Sequence, residues 1–115
     1  KNNGAYFNNQ RIRVSKKKNL SECLFATNKN GAQYKDINVR ISGSAALDLA
    51  YVSSGRLDGY YQKDVNLWDI AAGLLLVKEA GGKTNFIDFQ KTSNHKLLAS
   101  SNNIHDKMIE KLDKF

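Results

Sequence analysis

The chain has 115 residues, 41% hydrophobic and 25% charged, with a formal net charge of +7, which is room for one domain with a real core and not for two. Its longest apolar run, "IAAGLLLV" at 70–77, falls short of the roughly 18–20 residues a membrane span needs, so a transmembrane helix is excluded. A single cysteine, Cys23, excludes an intramolecular disulfide.

Taken in chain order, "GAYFNNQRIRV" reads as two short strands joined at a turn, Asn8-Asn9. The charged loop "KKKNLSE" follows, then a buried strand in "CLFATN", where Cys23 reads as a small core side chain rather than a nucleophile. "KNGAQYKD" is polar and reads as a loop. "INVRI" alternates as a strand does, with Ile37, Val39 and Ile41 on one face.

"SGSAALDLAYVSSG" carries Ala45, Leu49 and Val52 at helical spacing, with Gly43-Ser44 at its start and Gly55 past its end. "RLDGYYQ" is a strand bearing an aromatic pair. A second helix spans about 69–80; its residues Ile70, Leu74 and Val77 form one stripe, but Ala71, Ala72, Leu75 and Leu76 make it apolar nearly all round. Such a helix is expected to be covered on several sides. Gly81-Gly82 ends it, "KTNFIDF" and "HKLLASS" read as two strands, and a last helix over about 104–113 turns Ile104, Met108 and Leu112 inward.

This order predicts a mixed β-sheet with packed helices, an α/β domain over residues 1–115. His95 and His105 have no cysteine or acidic cluster framing them, which argues against a zinc site. The only methionine is Met108 and there is no proline, against an average usage of about 5%. The missing initiator suggests a fragment, a processed product or a chain whose beginning is not included.

Two helix starts carry the chemistry. At Gly43-Ser44-Ala45, free backbone N–H groups and a glycine allowing close approach suit a phosphate or sugar oxygen, although a plain capped helix start has the same appearance. At the other, Asp69 sits beside Trp68 at the head of an otherwise apolar helix. A carboxylate there is an ordinary cap, or an oxygen ligand suited to Mg²⁺. Residue chemistry alone takes the chain to an anion and metal site, and one carboxylate is too few to hold a pair of metals.

The block "GSAALDLAYVSSGRLDGYYQKDVNLWDIAAGLLLVKEAGG", flanked by "GAYFNNQRIRVS" and "LLASSNNIHDKMIEKL", closely resembles the C-terminal half of the inositol monophosphatase family in its bacterial branch. The similarity spans nearly the whole chain. It implies the C-terminal half of a layered αβαβα sandwich, with the second helix in the interior, and a Mg²⁺-dependent, cytoplasmic phosphomonoesterase that hydrolyses inositol monophosphate by a metal-activated water. By the same resemblance Asp69 is a Mg²⁺ ligand, and Gly43, Ser44 and Ala45 contact substrate largely through backbone atoms. Gln62 stands where the family usually has a Glu that accepts a hydrogen bond from an inositol hydroxyl.

Departures from the family pattern matter as much. The paired-Glu and Asp-Pro-x-Asp-Gly-Thr motifs, which carry the other metal ligands and position the attacking water, are absent, so no catalytic residue is assigned in these 115 residues. The N-terminal metal-binding half is therefore an implied partner, and the isolated chain is expected to be inactive. The segment between Asn28 and Arg40 is shorter than the helix-length segment usual in the family. Homodimers are common among its members. Two alternatives stay open: a related sugar-phosphate or 3′-phosphonucleotide phosphatase, and a non-catalytic module that uses the basic "RIRVSKKK" stretch on nucleic acid or a protein.

Overall fold

The computed structural model describes residues 4–7, 10–28, 36–63, 67–87 and 96–112. The Asn8-Asn9 turn, His95 and most of the polar loop after Asn28 lie outside the described residues. Strands β1 (Ala5–Phe7) and β2 (Gln10–Ile12) pair antiparallel as a separate two-stranded ribbon. The remaining strands are β3 (Leu24–Thr27), β4 (Asn38–Ile41), β5 (Gly59–Lys63), β6 (Lys83–Ile87) and β7 (Lys96–Ser100). They form one sheet in the order β4-β3-β5-β7-β6, parallel across β4, β3 and β5 and antiparallel across β5, β7 and β6. The expected mixed sheet is what the chain forms.

Adjacent residues of a strand point to opposite faces, and here both faces are covered. Ala26, Tyr60, Leu97 and Ala99 meet Leu49, Val52, Ile70, Leu74 and Val77 from helices α1 (Ala45–Ser53) and α2 (Leu67–Glu79). On the other face Phe25, Tyr61 and Leu98 meet Ile104, Met108 and Leu112 from the segment around α3 (His105–Leu112), together with Cys23. The aromatic pair Tyr60-Tyr61 is thus divided between two cores, and both rings are almost fully buried. The result is a three-layered αβα arrangement, with the sheet in the middle.

Helices α1 and α2 pack closely because Gly73 faces Leu49. A Cβ on Gly73 would lie 2.6 Å from Leu49 Cδ1 and 2.9 Å from Leu49 Cβ. The glycine therefore sets the interhelical distance, at the expense of helix propensity.

Three sequence expectations need correction. Helix α2 begins at Leu67, so Asp69 is its third residue and not its cap. Nor is α2 covered on several sides: Ala71 and Ala72 are exposed, and Leu75 keeps 53% of its surface. Its buried stripe is Ile70, Leu74 and Val77. Ile41 also departs from its predicted face partners, remaining 45% exposed while Ile37 is buried, because β4 is the edge strand. No described helix is long and apolar enough to cross a membrane.

Candidate active-site cleft

The parallel part of the sheet has its carboxyl ends on one side, and ligands of open α/β sheets bind outside those ends. A cleft of about 130 Å³ opens there, lined by Thr27 and Asn28 from the end of β3, Gly43, Ser44, Ala45 and Asp48 from the start of α1, and Tyr60 and Gln62 from β5. All four residues expected to touch substrate, Gly43, Ser44, Ala45 and Gln62, share this one cleft. Asp69 is placed by its backbone in the first turn of α2, whose start at Leu67 is separated by three residues from the end of β5 at Lys63. Its side chain lies outside what the structure describes.

Local chemistry shapes the head of α1. Gly43 holds φ at +88°, in the left-handed region that disfavours a side chain, and the space a Cβ would occupy is empty to 4 Å. Ser44 is the N-cap: its side chain accepts from the Leu47 N–H at 3.2 Å. The Ser44 N–H is itself taken, donating to Ser42 Oγ at 3.2 Å. The N–H groups of Ala45 and Ala46, ahead of the first intrahelical bond, are therefore the donors left for a ligand.

Sequence reasoning missed Asp48. It is only 2% exposed, accepts from the Ser42 hydroxyl at 2.7 Å, and lines the cleft. Burial raises its pKa above the usual carboxylate range, while the Ser42 hydrogen bond and the Arg40 charge pull it back. Tyr60, one of the aromatic pair, is core, yet its hydroxyl reaches the cleft and donates to Gln62 Oε1 at 2.8 Å. Burial, with the Asp48 charge second, pushes the Tyr60 phenol up to about 12. At neutral pH that hydroxyl keeps its proton and acts as a donor. Thr27 Oγ1 donates to the Tyr61 carbonyl at 2.7 Å, and Asn28 Oδ1 is buried with no partner. One signal could have flagged Asp48: it is the only charge in the nine residues of "AALDLAYVS".

The donor chemistry fits Mg²⁺ only in part. Asp69 supplies the right kind of oxygen, but among the described residues no three His, Cys, Asp or Glu side chains gather where they could share an ion.

A sheet covered on both faces, with a polar cleft and a helix N-terminus at its carboxyl edge, is an α/β domain whose cleft lies where such folds bind their ligands. Comparison with known proteins narrows this. Residues 1–114 match the model of the inositol monophosphatase family. A Thermotoga maritima protein named fructose-1,6-bisphosphatase/inositol-1-monophosphatase is 41% identical over 118 residues, covering 93% of this chain and 46% of that protein. An inositol-1-monophosphatase of Caulobacter vibrioides is 33% identical, over 97% of this chain and 51% of its own length. The solved inositol monophosphatase from Anabaena superposes with a TM-score of 0.80 at 36% identity, covering 96% of this chain and 51% of that one. The chain belongs to the inositol monophosphatase family, spans about half the length of the relatives it matches, and corresponds to their C-terminal half.

Proposed function

We propose that these 115 residues are the substrate-binding half of a Mg²⁺-dependent phosphomonoesterase that hydrolyses inositol monophosphate. The observation that supports it most is convergence: the turn Gly43-Ser44-Ala45 at the head of α1 and Gln62 on β5 line one cleft, at the end of β5 from which the chain enters α2 with Asp69 in its first turn. In this reading the Ala45 and Ala46 N–H groups and the dipole of α1 hold an oxygen of the substrate. Gly43 lets the ligand approach the backbone, and Gln62 orients the ring. Asp69 supplies one oxygen to Mg²⁺, and the remaining ligands come from outside these residues. When bound, the ion supplies an activated water and stabilises the leaving oxygen. The isolated chain is then inactive. A cytoplasmic location and a homodimer accompany this reading, and a related sugar phosphate or 3′-phosphonucleotide is the competing substrate.

The test is a chimera that joins the N-terminal half of the Thermotoga maritima relative to this chain. Phosphate release from inositol 1-phosphate is expected only with Mg²⁺, and Asp69→Asn should lower it by roughly 100-fold or more. A folded chimera without Mg²⁺-dependent turnover overturns the proposal. Turnover by the 115-residue chain alone overturns the division of labour. A panel including fructose 1,6-bisphosphate and a 3′-phosphonucleotide then ranks substrates.

A further inference from the structure

The net charge of +7 finds no use in the cleft, whose lining holds Asp48 and, among the described residues, no cation. A basic run lies instead at the other end of the sheet. Asp58, just before β5, accepts through Oδ2 from the Leu24 N–H at the head of β3, and Lys17 Nζ stands 3.5 Å from the same oxygen. Residues 13–19 therefore run along the amino ends of β3 and β5, whereas the cleft lies at their carboxyl ends.

This segment is fixed at several points along its backbone. The Val14 N–H donates to the Ala80 carbonyl at 3.1 Å, Asn103 Nδ2 to the Lys16 carbonyl at 3.0 Å, and Lys107 Nζ to the Lys18 carbonyl at 2.8 Å. The pinning sorts the side chains: Lys17 turns to Asp58, while Arg13, Lys16 and Lys18 are exposed. Charges held on a fixed backbone have less freedom to lose when a ligand binds.

The β1-β2 ribbon extends the run. Its register sets Tyr6 directly opposite Arg11, so the two side chains share a face. Tyr6 keeps 54% of its surface and Arg11 is exposed. The Arg11 guanidinium rests against Gly4, where an added Cβ would come within 2.7 Å of its Nε. An aromatic ring and a guanidinium plane thus stand side by side at the head of a line of cations. The acids nearby are fewer: Glu22 and Asp106, and Glu79, which accepts from the Gly4 N–H at 3.0 Å.

We infer that this surface binds a single-stranded nucleic acid, with a base stacked on Tyr6 and Arg11 and successive phosphates on Arg13, Lys16 and Lys18. An acidic protein would satisfy the lysines but make no particular use of an open tyrosine ring, whereas unpaired bases stack on such rings and on guanidinium planes. A duplex keeps its bases stacked on one another and out of reach. The surface and the cleft occupy opposite ends of the sheet, so this inference goes beyond the phosphatase reading and does not depend on it.

The test is fluorescence anisotropy of a labelled oligouridylate titrated with the 115-residue chain at several salt concentrations. Micromolar binding is expected at low salt, with log K falling against log salt at a slope of about −2, as for three phosphate contacts on a single strand. Changing Lys16→Gln and Lys18→Gln together should weaken binding roughly tenfold and flatten the slope to about −0.7. Tyr6→Ala should weaken it roughly tenfold with the slope unchanged, and Tyr6→Phe should restore it. All three positions are exposed, so these variants leave the core untouched. An RNA duplex should bind more weakly, and inositol 1-phosphate should displace the RNA no better than sulfate at equal ionic strength. Absence of binding at low salt overturns the inference. So does specific displacement by inositol 1-phosphate, which would put the RNA in the cleft. Binding that polyglutamate displaces and Tyr6→Ala leaves unchanged also overturns it, and makes an acidic protein the partner. Loss of binding in the chimera with the Thermotoga maritima N-terminal half would show this surface to be covered in the whole protein, and overturns it as well.

Discussion

Across the turn that opens α1, the Ser42 hydroxyl donates to Asp48 Oδ2 at 2.7 Å and accepts from the Ser44 N–H at 3.2 Å. One hydroxyl thus ties a buried carboxylate to the N-cap residue and closes the turn in which Gly43 takes φ +88°. Ser42→Ala removes the bond that offsets the burial of Asp48, so its pKa, already raised, should climb further. The sign for stability follows. A folded-state pKa above the unfolded one means the ionised carboxylate is disfavoured by folding at neutral pH, and the penalty is relieved as pH falls through the folded value. The variant should lose about 1–3 kcal/mol near neutral pH and recover part of it in acid. Carboxyl ¹³C titration of Asp48 in both proteins checks this, and an unmoved pKa would refute the linkage.

Gly73 gives a second prediction, because propensity and packing disagree on it. In an exposed helix interior Gly→Ala gains about 1 kcal/mol. Here the new methyl would meet Leu49 Cβ at 2.9 Å, an atom fixed to the backbone of α1 that cannot swing aside. Gly73→Ala should therefore destabilise by about 1–3 kcal/mol. Leu49→Ala alone should cost about 3 kcal/mol, and the double variant less than the sum of the two. Urea midpoints of the four proteins form the cycle. A stabilised Gly73→Ala would mean the helices are free to move apart.

Much of this architecture was legible from patterns of two and of three to four. Alternation in "INVRI", and short apolar or aromatic segments elsewhere, located the five strands of the mixed sheet, and the Ser44 cap with Gly55 bounded α1 correctly. Periodicity reports how apolar a helix is, however, and not what lies against it. That is why α2 reads as covered all round although Leu75, Ala71 and Ala72 face outward within these residues. Asp48 was passed over because a charge in an apolar helix looks like a solvated interruption, whereas it is buried and takes its hydrogen bond from Ser42, which stands before the helix. The convergence of Gln62 with Gly43–Ala45 follows from β5 lying beside β3, a neighbour relation that no local window contains.

Asp58 is another buried acid the sequence leaves silent, and it organises backbone rather than ligand. Its N–H donates to the Leu24 carbonyl at 2.8 Å, its Oδ2 accepts from the Leu24 N–H at 2.8 Å, and its carbonyl accepts from the Ser101 N–H at 3.0 Å. Lys17 Nζ stands 3.5 Å from the same Oδ2, with its side chain 48% exposed. Asp58→Ala strips the Leu24 N–H of its acceptor at the head of a central strand and should cost about 3 kcal/mol. Lys17→Met should cost about 1 kcal/mol, since a half-exposed ammonium is screened by water. Cys23 offers an independent reading. Burial first, and then the charge of Asp58, push its thiol up to about 11. Asp58→Asn should therefore lower the Cys23 pKa, measurable from the pH dependence of thiolate absorbance. No change there would show that the carboxylate does not reach the thiol.

The buried His105 links stability to pH in the opposite sense from Asp48. Its Nδ1 accepts from Ser100 Oγ at 2.5 Å while its Nε2–H donates to Asn85 Oδ1 at 2.8 Å, the tautomer that satisfies both partners of a neutral ring. Protonation would put a hydrogen on Nδ1, where the Ser100 hydroxyl now donates, and a charge in a site 1% exposed. Burial, and then the nearby Lys83 charge, depress its pKa from 6.5 to about 4, against a smaller opposing pull from Asp106. The unfolded chain therefore takes up a proton before the folded one does. Stability from this group is complete above pH ~6.5 and is lost progressively as pH falls toward ~4, by about 3 kcal/mol in all. His105→Gln, which cannot titrate, should lose its own packing and hydrogen bonds at every pH yet show a flatter profile through that window. The comparison is the difference between the two proteins' urea-derived stabilities at pH 7.5 and 4.5, so that carboxylates titrating in both cancel. Parallel profiles would mean that His105 takes up its proton without opening the fold, and the neutral Ser100–His105–Asn85 arrangement would not be what holds β7 to α3.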